Sequence, residues 1–486
     1  MQNNSKSFIF KLFLLLTTMA LLFSCRKEDD FITDPSASLE FSTDSIAFDT
    51  VFTTIGSVTK TLKIFNGNNK AIKISSLQLE SGPSSNFRIN VDGTPATQLK
   101  DVEIAADDSL YIFIRVTVDP TNENAPFVIS DRILFETNSN LQDVDLVAWG
   151  QNAYYIVADQ QIEGLPPFKI VASEFSDTTW DSKKPYLIYG YAVVDSNAIL
   201  RIDDSARIHF HNNSGLWVYK GGALKVNGTR ERPVVFQGDR LDFEYRNIPG
   251  QWDRIWINEG SVDNEINYAI IRNGFIGIQA ETLQEQMGNR LIIRNTIIEN
   301  MTGIGLFSRF YNIEAENTVV ANCGNYGAAL TLGGIYDFTH CTFANFWNQS
   351  VRQQPNLFLN NFYLDENNAE VAFPMDAWFG NCIIAGQKEE EIQYEISELE
   401  SFNYLFDHAL LKTQMDVSNT QNYKDIILNE DPLFADYDAF DYHPDTLSPV
   451  INAGSPEIAQ EVPLDLDGVN RLPEPDLGAY EFVPGK

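Results

Sequence analysis

A chain of 486 residues is too long for one ordinary hydrophobic core, so it must divide into domains or extend as a solenoid. Its 44% hydrophobic and 12% aromatic content is ample for burial and excludes a globally disordered chain. A formal net charge of −33 repels nucleic acid and anionic lipid, and disfavours anionic polysaccharides unless a divalent cation or a local basic groove intervenes.

The first residues read as an export signal. Lys6 and Lys11 precede an apolar run over 12–23, broken only by Thr17 and Thr18. That run is short for a membrane span, and it ends at Ser24 in small-residue cleavage chemistry. Leu22-Phe23-Ser24-Cys25 resembles a bacterial lipobox, which implies a leader over 1–24 and lipidation of Cys25. Arg26-Lys27-Glu28-Asp29-Asp30 resembles the export tag of Bacteroidetes surface lipoproteins, which implies an outer-membrane lipoprotein exposed at the cell surface. Membrane attachment is then expected through the lipid anchor only. Cys323, Cys341 and Cys382 remain, an odd number that speaks against a disulfide framework. No pair has zinc spacing, so buried free thiols are expected.

Residues 25–37 are polar, contain Pro35 and read as a lipidated tether. Over 38–152 short alternating strands take over. Val58, Lys60, Leu62 and Ile64 share one face, and Ile112, Ile114, Val116 and Val118 share another. Turn-prone stretches such as Asn66-Gly67-Asn68-Asn69, Asp92-Gly93 and Asp119-Pro120 separate them, as in a β-sandwich. The strand order resembles immunoglobulin-like domains of the ASPM/SPD-2/Hydin type, which implies a spacer that holds the distal part away from the membrane.

Over 153–486 strands of three to five residues are broken by Gly, Asn or Asp, which suits the coils of a β-helix. The hexads 268–273, 295–300, 317–322, 340–345 and 381–386 align, with steps of 27, 22, 23 and 41 residues between their last positions. One β-helix coil takes about 20–25 residues, so the period indicates a solenoid, with a loop over 346–379 in the long step. Asn273, Asn300, Asn322 and Asn345 are expected to stack as an amide ladder at one corner. Thr296, Thr318, Cys341 and Cys382 would form one interior row beside Ile298, Val320, Phe343 and Ile384. The closing motifs Asp431-Pro432-Leu433-Phe434, Ala453-Gly454-Ser455-Pro456 and Asp476-Leu477-Gly478-Ala479-Tyr480-Glu481 resemble the choice-of-anchor Q and right-handed β-helix repeat families. The resemblance implies a right-handed parallel β-helix and leaves activity open, because such folds host many functions. The fold expected is therefore all-β: an immunoglobulin-like β-sandwich, then a right-handed parallel β-helix with a C-terminal cap in which Arg471 pairs with Asp476 or Glu481.

Candidate chemistry is sparse. Pectate-lyase-like enzymes use a Lys or Arg base beside calcium-holding carboxylates, and no stretch here matches their motifs. Arg207, His209 and His211 alternate with Ile208 and Phe210, so they should share the outer face of one strand, where a His pair can bind metal or move protons and more often is simply solvated. Asp239, Asp242, Glu244, Trp252, Asp253 and Trp256 flank a loop; aromatic faces with nearby acceptors suit sugar rings, and paired carboxylates suit glycoside hydrolysis. Trp256 equally suits core packing. Asp465-Leu466-Asp467-Gly468 only begins like a calcium loop, so neither a metal site nor a cofactor is expected, and calcium is unsupported. Glu389-Glu390-Glu391 reads as a solvated face. The leading expectation is a non-enzymatic envelope lipoprotein whose β-helix binds a polysaccharide or a surface protein. A lyase or glycosidase is the rival, and a purely structural envelope-assembly role is the third reading.

Overall fold

The computed structural model describes residues 31–120, 126–282 and 290–485; Cys25 and the leader lie outside the described residues. The chain is all-β and divides into two compact units after Gln151.

The first unit is a sandwich of two five-stranded sheets. Strands Lys60–Phe65 and Ser109–Val116 pair antiparallel, with Leu62 opposite Ile112 and Ile64 opposite Leu110. The period-two pattern puts Leu62, Ile64, Ile112 and Ile114 wholly inside, against Phe48, Ile74 and Leu146 of the other sheet. That second sheet departs from a simple meander, because Ser45–Phe52 runs parallel to Asn140–Gln151.

The second unit is a parallel β-helix with three strand-bearing faces. The first runs through Tyr191–Val194, Gly215–Val218, Ile255–Ile257 and Ile276–Glu281. The second runs through Ile199–Asp203, Ala223–Asn227, Asn264–Asn267 and Arg290–Arg294. The third runs through Arg207–Phe210, Val234–Gly238, Ala269–Arg272 and Ile297–Met301. Further coils continue all three, and alternate side chains fill a single interior stack.

Ile298, Val320, Phe343 and Ile384 occupy the same register on successive coils of the third face, all fully buried. Beside them Thr296, Thr318, Cys341 and Cys382 are also buried, and the Cys341 amide points at Cys382 Sγ, 3.4 Å away. These four side chains share a reason for being there. Each donates to the carbonyl two residues back: Thr296 to Arg294, Thr318 to Glu316, Cys341 to Thr339 and Cys382 to Gly380. A small side chain with one O–H or S–H donor satisfies that corner carbonyl, so threonine and cysteine interchange. The residue before each one, Asn295, Asn317, His340 or Asn381, has a left-handed backbone (φ 49°, 46°, 51° and 52°), a conformation asparagine tolerates well.

Two details of the coil differ from the sequence reading. Asn273 and Asn300 stack as expected, with Asn300 Nδ2 donating to Asn273 Oδ1 at 2.8 Å. Asn322 and Asn345 instead accept from the backbone amides of Phe346 and Cys323, and the amide ladder continues at the preceding corner, through Asn267, Asn295 and Asn317. The 41-residue step is one enlarged coil rather than a continuous loop over 346–379. It keeps the regular strand Leu357–Asn360, paired to its neighbours on both sides, and Met375–Gly386 begins within it. The excess lies in an insertion over 346–356 and a hairpin of Phe362–Leu364 with Glu370–Ala372.

The C-terminal segment packs along the side of the third face. A row of alanines, Ala321, Ala344 and Ala385, leaves room there for Phe434, Val450, Leu477 and Tyr480. Arg471 is fully buried and pairs with Glu481 at 2.6 Å, while also donating to Asn317 Oδ1 at 2.8 Å.

Candidate functional site

The third face is closed off. Arg207, His209 and His211 do point away from the core, since Ile208 and Phe210 fill it, but they are not a solvated row. His209 is buried, with Nδ1 3.1 Å from the Gly238 carbonyl, and burial pushes its pKa down to about 4, so it stays neutral. His211 is exposed against Asp239 (2.8 Å) and tilts over Tyr189, while Arg207 is half-buried. The segment over 239–251 is tied to this face, its backbone carbonyls at Arg246 and Asn247 accepting from Asn273 and Asn300.

Farther along this face, Gln237 accepts two bonds from Arg272. Glu299, partly buried beside Arg272, has its pKa raised to about 7 because desolvation outweighs the guanidinium. A carboxyl raised in the folded state stabilises fully below its ordinary pKa, near 4.5, and loses that contribution as pH climbs through 7. Glu299→Gln is therefore expected to melt higher than the parent at pH 8, by about 1–2 kcal/mol, with the gain disappearing at pH 4.5. Thermal unfolding of both proteins at the two pH values checks this; a gain independent of pH would contradict it.

The second face is covered by its own ion pairs. Arg201 grips Asp177 through two nitrogens, Lys225 faces Glu265 at 3.7 Å, and Arg294 reaches Glu265, Glu314 and Glu316.

The first face is different. Its outward row reads Trp217, Trp256, Gln279, Phe307, Ala329 and Phe358 on successive coils. Trp217 and Trp256 stack with centroids 5.0 Å apart and planes at 19°; Trp217 is buried among Phe168, Tyr191 and Val193, whereas Trp256 is half-buried. Two residues farther along the strands runs a polar row that includes Asn258, Glu281, Arg309 and Thr331. Glu281 is its hub. One carboxylate oxygen accepts from Trp256 Nε1 at 2.7 Å, and the other accepts from Gln279 Nε2 at 2.9 Å and faces Arg309 at 3.4 Å. Gln279 in turn accepts from Arg254, which pairs with Asp253, and Asp253 accepts from the Tyr191 hydroxyl. Burial and Asp253 push the Tyr191 pKa up, so that hydroxyl stays protonated. The Trp217 indole N–H is buried without a partner among the described residues.

This chain of hydrogen bonds fixes an aromatic ledge with a polar margin. Glu281 stands one residue past the Ile257–Ala280 register pair, so its backbone lies about five residues along the strand direction from that of Asp253, roughly 16 Å.

The sequence-proposed sugar-binding set is therefore split. Trp256 is on the ledge. Trp252 is a core residue, 1% exposed, stacked on Phe210 at 4.5 Å and donating to the Arg272 carbonyl. Asp239 serves His211, Asp242 is buried near Arg240, and Glu244 is exposed on the turn Phe243–Tyr245, in the connection between strands of the third and first faces. Sequence reading missed Trp217, Gln279, Glu281 and Phe307, although Gly215-Leu216-Trp217-Val218 and Ile255-Trp256-Ile257 carry tryptophan at the same phase between aliphatic residues. Among the described residues one group has metal-ligand spacing, Asp407, His408 and Asp425, but Lys424 Nζ already lies 3.2 Å from Asp407.

No protein-family model matches the chain, and no curated protein sequence matches it. Among solved structures it is similar to a family 123 glycoside hydrolase from Clostridium perfringens, at 9% identity and TM-score 0.17 over 23% of this chain and 26% of that one. The chain thus spans about a quarter of that enzyme's length. It is also similar to the ASH/PapD-like domain 7 of human CEP192, at 12% identity and TM-score 0.17 over 26% of this chain and 94% of that one. The catalytic unit of a GH87 α-1,3-glucanase from Streptomyces thermodiastaticus aligns at 10% identity and TM-score 0.24 over 76% of this chain and 88% of that one.

Proposed function

We propose that the chain is a lipid-anchored envelope protein, tethered through Cys25, whose β-helix binds a neutral glycan on its first face. The sandwich would serve as the spacer. The observation that carries this reading is the half-buried Trp256 ring, backed by the buried Trp217 and held by Glu281, with Gln279, Arg254 and Arg309 around it. Flat apolar ring surfaces match the C–H faces of sugars, while fixed carboxylate, amide and guanidinium groups match hydroxyls. The chain's charge of −33 favours a neutral ligand over a uronate or sulfated one.

Affinity electrophoresis through gels holding neutral or anionic polysaccharides tests this. Retardation by a neutral polysaccharide is expected, and Trp256→Ala should weaken it by about tenfold or more, as loss of a central aromatic does in other interfaces. New reducing ends or unsaturated uronates released in the same mixtures would instead make the protein a glycosidase or a lyase.

A further inference from the structure

The spacing of aromatic residues on the first face carries information about the glycan's shape. From Trp256 onward the outward row places an aromatic ring on every second coil: Trp256, then Phe307, then Phe358, each half-buried, with Gln279 and Ala329 between. Adjacent parallel strands lie about 4.8 Å apart, so these rings recur about every 9.6 Å along the helix axis. In a polysaccharide joined by equatorial 1,4 bonds, such as a β-1,4-linked glucan or mannan, the chain is extended, successive sugars are turned over, and the same ring face recurs every second sugar, at close to that length. An α-1,4-linked glucan curls and loses the match within a few sugars. The polar row beside the rings follows the same axis, with Glu281 between the first two aromatic positions and Thr331 between the last two. A hairpin leaves the helix immediately after the strand that bears Phe358, on the side of the polar row.

We infer that this face binds a neutral, ribbon-like polysaccharide lying parallel to the helix axis, one disaccharide per two coils, with Trp256, Phe307 and Phe358 as successive subsites. This rests on the glycan-binding reading and adds direction, register and linkage class to it. Three stacking positions in series predict an affinity that grows with chain length, whereas a ligand crossing the face would touch one coil and gain nothing from added sugars.

The test is calorimetric titration of the full chain, held in the sugar-free detergent lauryldimethylamine oxide, with cellobiose, cellotetraose and cellohexaose, the corresponding manno-oligosaccharides, and maltohexaose as the curled comparison. About a tenfold gain per added disaccharide is expected in the cello or manno series, with maltohexaose no tighter than the disaccharides. Phe358→Ala should bring the hexasaccharide down to the tetrasaccharide's affinity and weaken the disaccharide far less. Phe358→Leu, which keeps apolar bulk beside Tyr326 but removes the ring, should do the same with the near-ultraviolet circular dichroism intact. Binding that is flat with length, equal weakening at every length, or preference for maltohexaose overturns the axial register while leaving glycan binding standing. Absence of binding to every oligosaccharide and to every polymer overturns both.

Discussion

Replacing Arg352 by methionine is expected to destabilise the β-helix by about 3–5 kcal/mol, because it leaves a carboxylate buried without its partner. Arg352 and Glu391 have side chains only 3% and 0% exposed. Arg352 Nη1 donates to Glu391 at 2.8 Å and to the Gln354 carbonyl at 2.7 Å, and Nη2 reaches the Asn345 carbonyl at 3.2 Å. Glu391 also accepts from the Lys388 amide at 2.8 Å. The pair fastens the insertion over 346–356 onto the wall of the helix. The double change Arg352→Met with Glu391→Leu should recover most of the loss, since both charges then leave together. Urea unfolding followed by tryptophan fluorescence gives the comparison. A single variant within 1 kcal/mol of the parent would show that the carboxylate finds water or a proton more easily than its burial implies.

Phe379→Ala is expected to cost a similar amount, about 3–5 kcal/mol. Phe338, Phe379 and Phe406 stack in the interior on successive coils, with centroids 5.1 and 4.7 Å apart and planes within 8° and 10° of parallel. Phe343 approaches edge-on at 6.3 Å, and all four rings are fully buried. Removing the middle ring opens a cavity whose walls belong to three rigidly paired strands, which leaves little scope for collapse. Phe379→Leu fills most of the space and should lose under about 1.5 kcal/mol. A solenoid passes strain only to neighbouring coils, so protection from hydrogen exchange should fall first in the strands that carry Phe338 and Phe406. Loss spread evenly over the unit would contradict the stacked arrangement.

Much of the fold was legible because a coil repeats its chemistry. The hexads that share a left-handed first residue and a threonine or cysteine second residue revealed the period, and those two positions are the corner itself. Alternation in the sandwich strands likewise follows directly from which residues can be buried. The exceptions arise where an outer surface is covered by chain from elsewhere. His209 and Glu391 looked solvated because local alternation reports only which way a side chain points. It does not report what the folded chain brings on top, the Gly238 carbonyl beside His209 and Arg352 over Glu391. Trp252 shows the converse: standing outside a regular strand, it looked available, yet it enters the core through a gap beside Gly274, whose missing side chain makes room for the indole. The ledge residues were hardest to find. Trp217, Trp256, Glu281 and Phe307 meet only through inter-coil register, and coils of unequal length hide that register from any fixed sequence period.

The most direct test of the central claim is calorimetric titration of the protein and of its Trp256→Ala variant with whichever neutral polysaccharide retards it in a gel. Saturable binding by the parent, and its loss in a variant with unchanged circular dichroism, is the predicted result. Equal binding by both would place the glycan elsewhere, and no binding by the parent to any neutral polysaccharide would contradict a glycan-binding first face altogether.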